Sequence, residues 1–328
     1  MAYKSKNKSV LNPFAQFALM LALLMPFFAQ AYTGITIVMS ASTATNLEFV
    51  DNLKDELMTT KNNSLKVKVV VLKGNEKLVV AENSELVIAL GVKALEEASK
   101  LKYTTPVLGV FTPMPAFNAL LGKSRRELGN FSAIVLDQPY WRQISLIKTI
   151  LPASKKLGVL LGRTSAQYLE YLTEEAEEAG FSLDVENVDS ASDIIPKLIK
   201  TLDTNDAILA IPDPLIYNRE TAEPILLTTY RHQKPVFGYS QSYVRAGALA
   251  AVYSSNKQLA KQTAEIALAA QQAPSLLPPP QAPKYFSILV NRQVARSLNI
   301  TLIDEEMIYN KMLQLETTEK DEHDGVRH

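Results

Sequence analysis

Ile35-Thr36-Ile37-Val38-Met39, followed by the loop Ser40-Ala41-Ser42-Thr43 and the helix-like stretch from Asn46 to Met58, is the segment on which the fold turns. The five opening residues are aliphatic or β-branched with no charge among them, the composition of a strand buried on both faces. A short apolar run, a polar loop and a longer amphipathic run together make the repeating unit of an α/β protein. The same unit recurs downstream. Strands are expected at Val67 to Leu72, Leu86 to Leu90, Val107 to Phe111 and Ser132 to Leu136, with helices at Val92 to Leu101 and Pro115 to Leu121. A second set has strands at Leu157 to Leu161, Ser182 to Glu186, Ala207 to Ile211, Val236 to Tyr239 and Ala248 to Tyr253. Its helices are expected at Ser165 to Ala179, Ala191 to Leu202 and Tyr217 to His232.

The two sets echo each other in Pro106-Val107-Leu108-Gly109 and Pro235-Val236-Phe237-Gly238. Two like α/β units in one chain predict two lobes, each a mainly parallel sheet flanked by helices, facing each other across a cleft. A further helix is expected from Asn256 to Ala270, then a linker from Ala273 to Pro283 whose five prolines exclude helix and central strand. A last strand, Phe286 to Val290, and a helix, Arg292 to Leu298, follow. The polar tail at 316–328 is expected to be disordered.

Upstream of this pattern, Lys4, Lys6 and Lys8 precede an apolar run from Phe14 to Phe28 that ends in Ala29-Gln30-Ala31. A positive start, a run too short to span a bilayer comfortably and small residues at the two inspected positions read as a cleavable signal peptide over residues 1–31, cut before Tyr32. The chain has 328 residues, 34 basic and 34 acidic, and no cysteine. Loss of the segment removes three lysines and no acids, which leaves a mildly acidic protein ill suited to nucleic acid. Without cysteine there is no disulfide framework, no thiolate chemistry and no lipid-anchoring residue after the apolar run. The expected product is exported to the periplasm, is not lipid-anchored, and is not embedded in the membrane after cleavage.

Open α/β sheets take ligands at the carboxyl ends of their strands. That rule singles out Ser40, Ser42, Thr43, Gly91, Thr112, Met114 and Asp137 in the first unit, and Arg163, Thr164, Asp213, Tyr239 and Ser240 in the second. Hydroxyls and free N–H groups at Ser40 to Thr43 suit an anion, although N-capping by Thr43 or Thr45 explains the same residues. Arg163 with Asp137 or Asp213 could hold a carboxylate and an ammonium. Asp213, between two prolines, is equally well a turn residue. Tyr140, Trp141, Phe117, Tyr217 and Tyr239 stand near these loops as pocket walls or as core.

Catalytic apparatus is not evident. The three histidines are His232, His323 and His328, none placed for a Ser-His-acid triad. No nucleophile elbow, phosphate-binding loop or dinucleotide fingerprint occurs, and no metal-ligand spacing is present. The expectation is a binding protein without enzymatic activity, cofactor or metal.

The stretch from Gln143-Ile144-Ser145-Leu146-Ile147-Lys148 through Leu151-Pro152-Ala153-Ser154-Lys155-Lys156-Leu157-Gly158-Val159-Leu160 resembles the substrate-binding components of ABC transporters of the tryptophan/tyrosine-binding type. The likeness continues at Lys234-Pro235-Val236-Phe237, Val244-Arg245-Ala246-Gly247-Ala248, Gln262-Thr263-Ala264-Glu265 and Leu289-Val290-Asn291. It implies a type I periplasmic-binding-protein fold, with one lobe from 32–137 plus 255–315, a second from 138–254, hinges near Asp137 to Gln138 and Tyr253 to Ser255, and a third crossover near 271–285 as an open alternative. It also implies a small-molecule ligand, an amino acid or aromatic compound, delivered to an inner-membrane ABC permease; a sensor protein in the membrane is the alternative partner. Where the family carries Asp-Pro after the fourth strand, this chain has Thr112-Pro113, so an acidic contact is expected to be missing there.

Overall fold

The computed structural model describes residues 34–59, 66–72, 78, 86–102, 104–272 and 276–325. The expected signal peptide and its cut lie outside these residues.

Five strands form the first sheet: β1 (Gly34–Met39), β2 (Lys66–Val71), β3 (Leu86–Leu90), β4 (Val107–Thr112) and β5 (Phe131–Val135). They are parallel throughout, in the order β2-β1-β3-β4-β5. Helices α1 (Ala44–Thr59), α2 (Val92–Ser99) and α3 (Met114–Lys123) connect them. Side chains alternate across the pleat. Ile35, Ile37 and Met39 pack with α1, whereas Val38 turns to the opposite core with Leu95 of α2 and Phe117 of α3.

The second sheet repeats this plan. It comprises β6 (Lys156–Leu161), β7 (Ser182–Asn187), β8 (Ala207–Leu209), β9 (Val236–Gly238), β10 (Ala250–Tyr253) and β11 (Ser287–Val290), in the order β7-β6-β8-β9-β10-β11. All neighbours are parallel except β10 and β11. The helices are α4 (Tyr140–Ile150), α5 (Leu169–Glu178), α6 (Ile194–Thr204), α7 (Ala222–Arg231) and α8 (Gln241–Ala246), then α9 (Asn256–Gln272), α10 (Arg292–Ser297) and α11 (Glu305–Gly325). Apart from β11, the two sheets share one order, and the repeated Pro-Val-x-Gly opening falls on β4 and β9, the fourth strand of each. Both glycines are needed for close packing: a Cβ on Gly109 would lie 2.9 Å from Leu95 Cδ2, and one on Gly238 3.0 Å from Tyr243 Cδ1.

Three features depart from expectation. Residues 255–315 do not stay together with the first sheet: α9 packs on α1, but β11 pairs antiparallel with β10. Phe286 and Val290 enter the second core together with Ile308 and Met312 of α11. The alternation at 286–290 announces a strand, but not its sheet. Secondly, the tail is not disordered from 316, because α11 continues to Gly325 and is held by burial of Met312 and by an ion pair between Glu316 and Arg142 of α4 at 2.6 Å. Thirdly, the helix expected from Tyr217 begins at Ala222, because Asp213, Asn218 and Thr221 organise residues 213–221 as turns.

The proline-rich linker is extended where described, and lies along β5. Gln281 donates to Ala133 O and accepts from Val135 N–H, both at 3.0 Å, and Leu277 N–H bonds Gly129 O at 2.7 Å. Proline is tolerated there because the outer side of an edge segment needs no donor.

Candidate ligand-binding site

The carboxyl ends of strands from both sheets converge on a cavity of about 430 Å³, a size that suits a small organic molecule. The first sheet supplies Pro113, Leu136, Asp137 and Gln138 from the loops after β4 and β5. The second supplies Pro212, Tyr239, Ser240, Gln241 and Ser242 from the loops after β8 and β9, and Tyr253 and Ser254 from the end of β10. Tyr140 and Gln143 complete the wall. They lie three residues apart on α4 and therefore share a face. Pro139, with extended backbone, starts this helix so that its first turn meets the cavity.

Asp137 is the acid of the cavity. Its Oδ2 accepts the Met114 N–H at 2.7 Å, while burial pushes its carboxyl above the ordinary value. An acid thus does line the cavity, but from the loop after β5 and not at Thr112-Pro113. Burial also raises Tyr140 and, more weakly, Tyr239, so both hydroxyls stay protonated and can donate. Tyr168, whose ring meets Tyr140 edge-on at 5.6 Å, is pushed up to about 12 by burial and by the Asp137 charge. The Oε1 of Gln143 is buried and has no hydrogen-bond partner.

Beside the cavity the chain crosses between the sheets three times, at 136–139, 254–255 and 282–286. Gln138 Nε2 donates to Ser254 Oγ at 2.8 Å, and Ser254 Oγ donates to Tyr285 O at 2.6 Å, so one relay ties all three crossings. Arg142 braces it from α4, donating to Gln138 Oε1 at 3.0 Å and Pro283 O at 2.7 Å. Its guanidinium lies over the Phe286 ring at 4.6 Å.

Of the residues singled out from sequence, Asp137, Tyr239 and Ser240 line the cavity. Met114 reaches it through the N–H that Asp137 accepts. Thr112 is fully buried behind it. Ser40, Ser42, Thr43 and Gly91 lie on the loops after β1 and β3, away from the lining, and Thr43 Oγ1 caps α1 by accepting Asn46 N–H at 3.2 Å. Gly91, at φ 85°, opens α2 in a conformation that favours glycine. Arg163 and Thr164 are exposed on the loop after β6. Asp213 is 3% exposed and internally engaged: Oδ2 accepts from Ser165 N–H and Oγ, and Oδ1 from Leu215 N–H at 2.9 Å. It also fills the space beside Gly162, where a Cβ would lie 2.6 Å from Oδ1. Of the aromatics, Phe117 stacks on Phe131 in the first core and Tyr217 is buried in the second. Sequence reasoning missed Gln143 and Ser242, and placed Gln138, Tyr253 and Ser254 at the hinges rather than in the wall; Gln241 lay in a strand-end loop that it had marked. The i, i+3 spacing of Tyr140 and Gln143 just beyond a strand end was the available signal.

Among the described residues no group of three or more His, Asp or Glu side chains is arranged to hold a metal ion, and no helix is long and apolar enough to cross a membrane. The family model for ABC transporter substrate binding protein matches residues 32–312. The chain belongs to the ABC transporter substrate-binding protein family. Its fold is the two-lobed α/β arrangement of type I periplasmic-binding proteins, and it resembles solved members at low identity. An ABC domain from Streptococcus pneumonia in complex with L-Trp is 20% identical, with a TM-score of 0.58 over 86% of this chain and 98% of that one. A substrate-binding protein with adhesive properties from Clostridium difficile, in its ligand-free, open form, is 16% identical, with a TM-score of 0.67 over 84% and 97%. A conserved domain protein from Vibrio cholerae is 20% identical, with a TM-score of 0.57 over 85% and 98%. No curated protein matches the sequence.

Proposed function

We propose that this protein is a periplasmic solute-binding protein that captures a small organic ligand between its lobes and hands it to an inner-membrane ABC permease, without chemical turnover. The observation that carries this reading is the cavity walled from both sheets beside three crossings that share one hydrogen-bond relay. A ligand that bridges Pro113 and Asp137 to Tyr140, Tyr239 and Ser240 favours closure, because only the closed form lets it touch both walls at once. Hinge motion then falls at 136–139, 254–255 and 282–286. The stretch up to Gln281 travels with the first sheet, to which it is hydrogen bonded. Export to the periplasm follows from the basic and apolar start of the chain.

A thermal-shift screen against amino acids, aromatic acids, amines, sugars and purines tests the reading. A ligand at one hundred times its dissociation constant adds about 2.7 kcal/mol of stability. Hits are expected to compact the protein in small-angle scattering; stabilisation by no compound in the panel rejects solute binding.

A further inference from the structure

The residues around the cavity carry a one-sided charge. Asp137 lines it, and among the described residues no lysine, arginine or histidine does. The nearest guanidinium, on Arg142, is committed to Gln138, Pro283 and Glu316. Asp137 receives the Met114 N–H and its own backbone N–H, which leaves carboxylate acceptor sites open to the cavity. Tyr140, Tyr239 and Tyr253 add aromatic faces to the same wall.

A carboxylate entering this space would be desolvated beside Asp137 with no cation to meet it, which is unfavourable for both charges. An ammonium brings donors and no acceptor. It can pair with Asp137 in a charge-assisted bond and lie against tyrosine faces. We infer that the cleft selects a primary amine on a flat apolar body, an arylalkylamine without a free carboxylate, with Asp137 as the residue that sets specificity. This rests on the solute-binding reading and narrows it. The desolvation that raises the Asp137 carboxyl is offset when the ammonium brings an opposite charge beside it.

The test is calorimetric titration of the purified protein with two matched sets: tryptamine, tryptophan and indole-3-acetate, and tyramine, tyrosine and 4-hydroxyphenylacetate. At least one amine is expected to bind about tenfold or more tightly than its amino acid, and the acids not to bind. Asp137→Asn is expected to weaken the amine by about twentyfold or more, the loss of a charge-assisted hydrogen bond. Equal or tighter binding of an amino acid or acid overturns the inference, all the more if Arg163→Ala abolishes it, since that would show the exposed arginine reaching the carboxylate on closure. Unchanged amine affinity in Asp137→Asn also overturns it. Binding of a sugar or purine but of none of the six compounds overturns the inference while leaving solute binding intact; binding of nothing in the wider panel rejects the broader reading itself.

Discussion

Asp137 and Asp213 both follow the carboxyl end of a buried parallel strand, β5 in one sheet and β8 in the other, and by strand-end rules they are equally good ligand contacts. The surroundings separate them. Asp213 has its carboxylate saturated by Ser165 and Leu215 and fills the space left by Gly162. Asp137 meets Met114 N–H, its own backbone and an open cavity. An acid whose lone pairs are spent inside the fold works as a strut; one held out of water with capacity left is available to a guest.

The largest effect that could break this contrast is at Asp213. Truncation in Asp213→Ala removes the acceptor of the buried Ser165 N–H and the half-buried Leu215 N–H, leaves Ser165 Oγ only its longer bond to Gly162 O, and is expected to cost about 3 kcal/mol. Urea unfolding measures it, and a loss below about 1 kcal/mol would place Asp213 with the ligand contacts instead. A third acid calibrates the pair. Glu316 is buried like Asp213 but faces a cation, so Glu316→Ala leaves the buried Arg142 without its counter-charge and is expected to cost about 3 kcal/mol. If it costs nothing, burial of an acid here says little about its role, and the contrast weakens.

The smallest effect has the opposite sign. Asp137→Asn keeps an oxygen for Met114 N–H and removes a charge that burial disfavours, so the ligand-free variant is expected to melt about 2 °C higher at neutral pH. Because the folded carboxyl is raised above its ordinary 3.8, the unfolded chain releases the proton first as pH rises. The wild type therefore loses stability relative to the variant above that value, and the difference levels off once the folded carboxyl has ionised. Melting curves of both proteins from pH 3 to 8 should diverge in that direction; convergence toward neutral pH would mean that Asp137 gains more from its neighbours than burial costs it.

Most strands were legible because buried parallel strands are short and nearly pure in aliphatic residues, as in Leu86–Leu90. Helix α4 was harder to read: Arg142, Gln143 and Ser145 are buried among Ile144, Leu146 and Ile147, so its polar positions do not mark a solvent face. The tail misled for a related reason. Its composition is that of a solvated segment, yet Met312 and Glu316 each find a buried partner on elements far back in the chain. Strand-end logic located Asp137, Tyr239 and Ser240, but had no means of telling Asp213 apart, since its partner Ser165 lies 48 residues away. It passed over Gln143, which reaches the cavity from a helix.

The linker laid along β5 has one more consequence, for behaviour in a crowded compartment. A parallel sheet ends in two rows of unpaired backbone groups, each a template on which another molecule can add a strand. Here Leu277 and Gln281 occupy one row with the chain's own proline-studded segment, and the other, which among the described residues runs along β2, carries the exposed charges of Lys66 and Lys68. The first sheet is thus protected on both margins against growing into fibrils, and one of its guards is the same segment that carries the chain across to the other lobe.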